Sequence, residues 1–350
     1  MAVMIVRYRD GDELHWGSVA DEAPSKAADH VSVIPLDLDA KTTAELIANY
    51  DDGGFDLSAD PMSVAATDLV SPVTSDANLI CQGLNYSDHA SEAQHTKRKA
   101  NLFFAKASSS ITGPYGPIER PDDVQLLDYE CEFGIVFRAT PERGVTPDAA
   151  GLGRAIAGVV LANELSARDV QFAASFFQWY QGKSYRTFCP LGPVLYLLDP
   201  DEVAETLAAL EIKLWVNGEL RQSASSSQLI YGPAETLGQL SKVIDFKPGD
   251  VILTGTPGGV TSPATPRLVE ILKEHLLDDS TRKEALLEEW GKGRPFLQPG
   301  DVVTAKRKTN DVYEKTGRSG RLIFWEVETS DYNQRDELLA TNVETMFLRL

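Results

Sequence analysis

The stretch "AIAGVVLANELSARDVQ", residues 155–171, constrains this chain more than any other. An apolar run of strand length, rich in β-branched residues, passes directly into two acids, an arginine, an asparagine and a glutamine within nine positions. Such a run reads as a core strand, so the charges that follow begin where the chain leaves its core. "CEFGIVF", residues 131–137, is a second run of strand character, and it is led by the acids of "DYE". Two core strands with acids at their ends point to an α+β, strand-rich fold that carries charge at the edge of its sheet.

Other segments fill in the elements. "VMIVRY" and "LHWGSV" read as a hairpin turning around Asp10-Gly11, and "KTTAELIANY" as a short helix capped by Thr42 or Thr43. "LEIKLWVNGELRQS" is the clearest hairpin, because Asn217-Gly218 supplies the two positive-φ positions of a tight turn. "AETLGQLSKVI" has helical spacing, and "FKPGDVILTGTPGGV" reads as a turn, a buried strand and a Gly-rich loop. Residues 267–290 carry leucines at helical intervals between Gly/Pro-rich flanks, so one or two amphipathic helices are expected there, inserted over 263–296. A stretch rich in Asp, Ser, Gly and Pro at about 51–75 suits a linker. It divides the chain into a small N-terminal α/β module, 1–74, and a larger domain, 75–350.

Charge and composition exclude some functions. With 350 residues the chain can bury a sizeable core. A net charge of −19 argues against a nucleic-acid or anionic-membrane binder, since both need a basic face. The apolar run at the N-terminus is too quickly broken by charge for a signal peptide or a membrane span. Cys81, Cys131 and Cys189 are far apart and odd in number. They show no zinc spacing and fit a reducing compartment, so a cytoplasmic protein is expected.

Five constellations could carry chemistry. In "DYECEFGIVF", side chains two apart on a strand share a face, so Glu130 and Glu132 project together, with Asp128 on the same side. Like charges held that close call for a cation between them, and carboxylate oxygens suit magnesium, manganese or calcium; a solvated strand face is the bland alternative. In "GLNYSDHASEAQ", His89 and Glu92 stand three apart, a spacing that can prepare a general base for water, although chance pairs of this kind are frequent. Glu164, Arg168 and Gln171 would share one side of a helical turn, as active residues or as an exposed ion pair. In "QGKSYRTF", Lys183 lacks the upstream glycine of a phosphate loop and is read as a substrate-facing lysine. The loop "TGTPGG", with Thr254, Gly255 and Thr256, can offer backbone N–H groups and a hydroxyl to a carboxylate, or be only a tight turn.

Taken together and in order, "NYSDH", "DYECE", "NELSARDVQ", "GKS" and "TGTP" resemble the motifs of the fumarylacetoacetate hydrolase family, from about residue 76 to 262 and again near "LQPGDVV". The resemblance implies a mixed β-sandwich roll with flanking helices, usually a homodimer, and a small leading module. It implies that Glu130, Glu132 and Glu164 hold one divalent metal, Mg2+ or Mn2+, with Ca2+ a further candidate ion. His89 and Glu92 would activate water, Lys183 would stabilise an oxyanion, and Arg168, Gln171, Thr256 and Lys106 would contact substrate. The third ligand is normally aspartate in the family; here it is Glu164, one methylene longer.

The activity implied is metal-dependent hydrolysis of a C–C bond in a 1,3-diketo acid of the acylpyruvate or fumarylpyruvate type, in aromatic catabolism. Oxaloacetate decarboxylation, or isomerisation or hydration of a 2-oxo-enoate, would need the same metal and enolate without an attacking hydroxide. A non-catalytic binding or assembly protein with a metal site impaired by Glu164 is the third expectation.

Overall fold

The structure, a computed structural model, describes residues 2–20, 23–24, 29–86, 100–174, 176–262, 265–293, 295–299 and 301–309, with the backbone of four short strands between 322 and 349. His89 and Glu92 lie outside the described residues.

The long apolar runs become the centre of a twelve-stranded mixed sheet. Its middle strands are Cys189–Leu197, Ile156–Asn163, Cys131–Phe137 and Val251–Leu253, in that spatial order. Leu79–Gly83 runs parallel to Val251–Leu253, and Leu102–Lys106 closes that side of the sheet as an antiparallel neighbour. Every residue of Cys131–Phe137 and of Cys189–Leu197 is buried.

Both faces of this sheet are covered, which is why these strands read as continuous apolar runs rather than alternating ones. On one face Phe133, Ile135 and Val159 pack in a cluster with Ile212 and Leu214, which belong to a second, five-stranded sheet. On the other face Val136, Val160 and Leu195 pack with Leu46 and Ile47 of the helix Thr43–Asp51. The sequence expectation of a strand-rich α+β fold with one sheet laid over another is met.

Local chemistry sets the element ends. The Thr42 side chain accepts from the Glu45 N–H, and the Glu45 carboxylate takes the Thr42 N–H in return, so the helix opens with a reciprocal cap. The hairpin Leu210–Val216/Glu219–Ser225 turns at Asn217 and Gly218, with φ of 51° and 78°. Residues 3–10 and 13–19 form the expected first hairpin around Gly11. This hairpin continues the central sheet, because Val3–Ile5 pair antiparallel with Leu195–Leu197.

The inserted segment forms two helices, Pro266–Glu274 and Asp279–Trp290, capped by Thr265 and Asp278. Leu268, Ile271, Leu286 and Trp290 bury themselves with Phe296, Leu126 and Ala173. The leucine stripe is therefore packed against the body of the protein, next to the segment that follows "NELSARD". No described helix is long and apolar enough to cross a membrane. The three cysteines are buried and form no disulfide.

Candidate active site and metal centre

The site is built where two neighbouring strands end. Cys131 pairs with Asn163 across the antiparallel ladder, so Glu130, just before one strand, and Glu164, just after the other, are adjacent. The Glu164 N–H donates to the Glu130 carbonyl at 2.8 Å, which fixes that approach. Glu132 lies opposite Ala162 in the same ladder. Carboxylate oxygens of Glu130, Glu132 and Glu164 all lie within 4.8 Å of one another, and all three residues are buried. Asp128 stands apart from this triad, in a separate two-residue strand, Leu127–Asp128, that pairs with Ser166–Ala167. It accepts instead from Arg168 Nε, the Thr261 N–H and the Ser262 hydroxyl, and so ties the loop after "TGTP" to the site.

The triad is partly neutralised by side chains that the sequence placed nearby only as motifs. Lys183 Nζ donates to Glu130 Oε2, Glu164 Oε2 and Ser166 Oγ, each at 2.8 Å, so all three ammonium protons are engaged. Burial alone would lower the Lys183 pKa, but the Glu130 and Glu164 carboxylates outweigh it and hold it up at about 12. Arg168 Nη2 contacts Glu130 Oε1 at 2.6 Å. Burial opposes its charge too, and Glu130 and Asp128 again more than compensate, raising its pKa. Lys106, fully buried, has its ammonium 3.8 Å from Glu164 Oε1.

Glu132 is the exception. Its Oε2 accepts from the Gly255 N–H at 2.7 Å. Its Oε1 has no hydrogen-bond partner among the described residues, and neither has Glu164 Oε1. Burial first, then the neighbouring Glu164 and Glu130 carboxylates, push the Glu132 carboxyl well above its ordinary range. Lys183 opposes that shift without cancelling it. Two buried carboxylate oxygens without a hydrogen bond among the described residues, beside a third acid, form an oxygen-only donor set that fits a hard divalent cation. Glu164 fits this set despite its extra methylene, since its carboxylate reaches both the triad and Lys183.

The remaining predicted contacts fall as follows. Gln171 Oε1 accepts from Arg168 Nη1 at 3.1 Å. Arginine only donates, which fixes the orientation of the amide. Its Nε2 is then left buried and without an acceptor among the described residues. Thr256 Oγ1 accepts from Gln222 Nε2 at 2.7 Å and lies 3.3 Å from the Cys131 carbonyl. The backbone N–H that "TGTP" offers to a carboxylate, from Gly255, serves the protein's own Glu132. At Gly255 φ is +93°, and a Cβ would sit 2.8 Å from the Gln82 carbonyl oxygen, so only glycine fits there.

Gln222 was not singled out in the sequence. Its Oε1 accepts from the Cys131 N–H, between Glu130 and Glu132, at 2.8 Å, while Nε2 holds Thr256 and the Pro257 carbonyl. It reaches them from the second sheet. The only signal was its parity with Ala224 on the buried face of a strand.

Gly182 brings Lys183 into place. A Cβ there would meet the Gln171 Cβ at 2.8 Å and its Cα and N at 3.0 Å, so the short helices Arg168–Ala173 and Trp179–Lys183 touch backbone to backbone. Gly182→Ala should lower stability by about 1–3 kcal/mol through overpacking, read from the midpoint of a urea melt. An unchanged midpoint would mean that the segment yields freely.

Known proteins resemble this chain in sequence and fold. Residues 78–316 match the family model described as fumarylacetoacetate (FAA) hydrolase C-terminal. A mitochondrial oxaloacetate tautomerase of Bos taurus is 39% identical over 192 residues, 55% of this chain and 59% of the relative. This chain thus spans well under two thirds of the tautomerase's length. A 2,4-didehydro-3-deoxy-L-rhamnonate hydrolase of a Sphingomonas strain is 33% identical over 71% of this chain and 82% of its own. Among solved structures, a fumarylacetoacetate hydrolase from Exiguobacterium antarcticum superposes with a TM-score of 0.63 at 28% identity, covering 87% of this chain and 95% of that one. A probable 2-hydroxyhepta-2,4-diene-1,7-dioate isomerase from Mycobacterium abscessus gives the same TM-score at 29% identity, covering 88% and 94%. With residues 78–316 matched by the family model and a 33% identical relative covered over most of its length, the chain belongs to the fumarylacetoacetate hydrolase family.

Proposed function

We propose that this protein is a divalent-metal-dependent enzyme that forms the enolate of a small 2-oxo acid bearing a second carbonyl or carboxylate, of the oxaloacetate or acylpyruvate kind. The observation that carries the proposal is the buried triad, two of whose carboxylate oxygens have no hydrogen bond among the described residues. Glu130, Glu132 and Glu164 would hold Mg2+ or Mn2+, which when bound supplies Lewis acidity to a chelating pair of substrate oxygens.

The chain's own residues account for the rest. The Gln171 amide N–H lacks an acceptor among the described residues and is oriented by Arg168, so it is the donor proposed for a substrate carboxylate. Arg168 itself is committed to Asp128 and Glu130, and serves as the brace that holds a ligand in place. The Lys183 ammonium, held protonated, supplies fixed positive charge beside the developing enolate oxygen. Lys106 adds a second buried cation on the Glu164 side.

A second reading adds C–C hydrolysis of a 1,3-diketo acid, and the sequence pair His89 and Glu92 favours it. There, water deprotonated by that pair adds to the carbonyl carbon, and the C–C bond electrons pass to the leaving enolate, which is then protonated. The similarity to a hydrolase over most of that relative's length supports it; the similarity to tautomerases supports enolisation alone. The homodimer and the cytoplasmic setting remain part of the proposal, and sedimentation of the purified chain checks the former.

The test uses protein stripped with chelator and reloaded with Mg2+ or Mn2+. Oxaloacetate and a series of acylpyruvates are followed by enol absorbance and by mass spectrometry of products. Enolisation leaves the mass unchanged, decarboxylation loses carbon dioxide, and hydrolysis gives two fragments. Metal-independent turnover, or no reaction with any of these acids, would sink the proposal.

A further inference from the structure

The inserted helices bury an arginine that touches the site segment from behind. Arg282 is fully buried, and its partners are main-chain carbonyls. Nη1 donates to the Ala174 carbonyl at 2.9 Å and to the Phe172 carbonyl at 3.4 Å. Nε donates to the His275 carbonyl at 2.8 Å, and Nη2 reaches the His275 and Leu276 carbonyls. Phe172 and Ala174 stand at the C-terminal end of the helix Arg168–Ala173, whose last carbonyls have no partner within the helix. His275 and Leu276 lie in the elbow between the two inserted helices. One planar guanidinium thus pins the insertion's elbow to the end of the helix that carries Arg168 and Gln171.

Three further observations follow the same direction. Just past Ala174 the chain reverses through Phe176 and Phe177, with φ of 64° and 59°, in a region that side chains with a Cβ rarely adopt. Such backbone persists only where its surroundings hold it. The reversal returns the Gln178 N–H to the Gln171 carbonyl at 2.9 Å and leads into Lys183. Next to Arg282, Lys283 Nζ meets the buried Asp169 at 3.1 Å, and Asp169 also accepts the Gln125 and Leu126 N–H groups. Finally, aromatic rings connect the insertion to the site. Trp290 contacts Phe172, Phe172 contacts Trp179, Trp179 contacts Phe104, and Lys183 Nζ lies 5.5 Å above the Phe104 ring.

We propose that Arg282 is a positioning residue: through the Phe172 and Ala174 carbonyls it sets residues 168–183, and so the placement of Gln171 and Lys183 toward substrate. The insertion is then a buttress for the substrate-binding half of the site. The carboxylates of the metal-binding half stand on or beside the strands Cys131–Phe137 and Ile156–Asn163 and meet residues 168–183 through Arg168 and Lys183, so they depend on the buttress less directly. The inference rests on the reading of Gln171 and Lys183 given under Proposed function.

The test compares Arg282→Met and Arg282→Lys with the wild type, all as full chains loaded with Mn2+. Expected for Arg282→Met is faster hydrogen–deuterium exchange in peptides from 168–183, with peptides from 131–137 and 156–163 unchanged. Mn2+ affinity, touched through Arg168 and Lys183, should weaken by about threefold at most, while oxalate affinity, and KM for any 2-oxo acid turned over, weaken roughly tenfold. Arg282→Lys keeps one cation able to reach one pair of carbonyls and should recover part of the loss. Unchanged exchange and oxalate affinity overturn the proposal, as does a parallel loss of Mn2+ and oxalate affinity, which would mark a merely structural arginine. If Arg282→Met does not fold, the same criteria apply to Arg282→Lys. If the wild type turns over no 2-oxo acid, the functional reading fails, while exchange and oxalate binding still decide the role of Arg282.

Discussion

Lys183→Met protein is expected to melt well below wild type in the presence of chelator and to recover much of the difference when Mn2+ is added. Methionine keeps most of the lysine's length and its contact with Phe104, so packing changes little. What is lost is the cation between Glu130 and Glu164, each 2.8 Å from Nζ. Removing one partner of a buried ion pair typically costs about 3–5 kcal/mol, because the other is left charged without compensation. Here two carboxylates are left facing each other. A divalent cation held by the same carboxylates would relieve that repulsion, which is why the deficit should shrink with Mn2+. Turnover should still fall by roughly a hundredfold or more, since a fixed positive group beside the enolate oxygen is gone. Equal melting temperatures with chelator would mean that Lys183 does not neutralise the triad.

The second large effect concerns the metal itself. Wild-type protein should be stabilised by Mg2+ or Mn2+ by about 2.7 kcal/mol at a hundredfold excess over Kd, and Glu132→Gln should lose nearly all of that response. Without metal, Glu132→Gln should be at least as stable as wild type. An amide is neutral at a position where burial and two neighbouring carboxylates already disfavour the charged form. A variant that gains stability while losing its response to metal is hard to explain by general damage. Titration calorimetry and thermal melts check both halves. A Glu132→Gln protein that binds Mn2+ as tightly as wild type would remove Glu132 from the ligand set.

Much of this site could be read in the sequence because its acids lie close along the chain. Glu130 and Glu132 share a face by strand periodicity, and Glu164 follows the apolar run that pairs with theirs. Contacts from distant segments could not be read that way. Gln222 reaches the Cys131 N–H across 91 positions and from the other sheet. Lys183 in "GKS" was recognisable as a motif residue, but its seat between Glu130 and Glu164 depends on Gly182 lying against Gln171. Asp128 has the spacing of a third strand acid, yet it belongs to a separate short strand paired with Ser166–Ala167, and Arg168 and the loop after "TGTP" take its carboxylate. The leucines of the insertion announced helices, whereas what they pack on is decided by the tertiary fold.

The pairing of Val3–Ile5 with Leu195–Leu197 also has a temporal side. During synthesis, the partner strand emerges about 190 residues after the first one. At some 5–20 residues per second, the N-terminal hairpin waits on the order of ten to forty seconds with an open edge. Leu69–Val70, which pairs with Arg7 and Tyr8, emerges much sooner and covers part of that edge. Slower elongation between residues 70 and 190 would lengthen the wait and favour association between nascent chains.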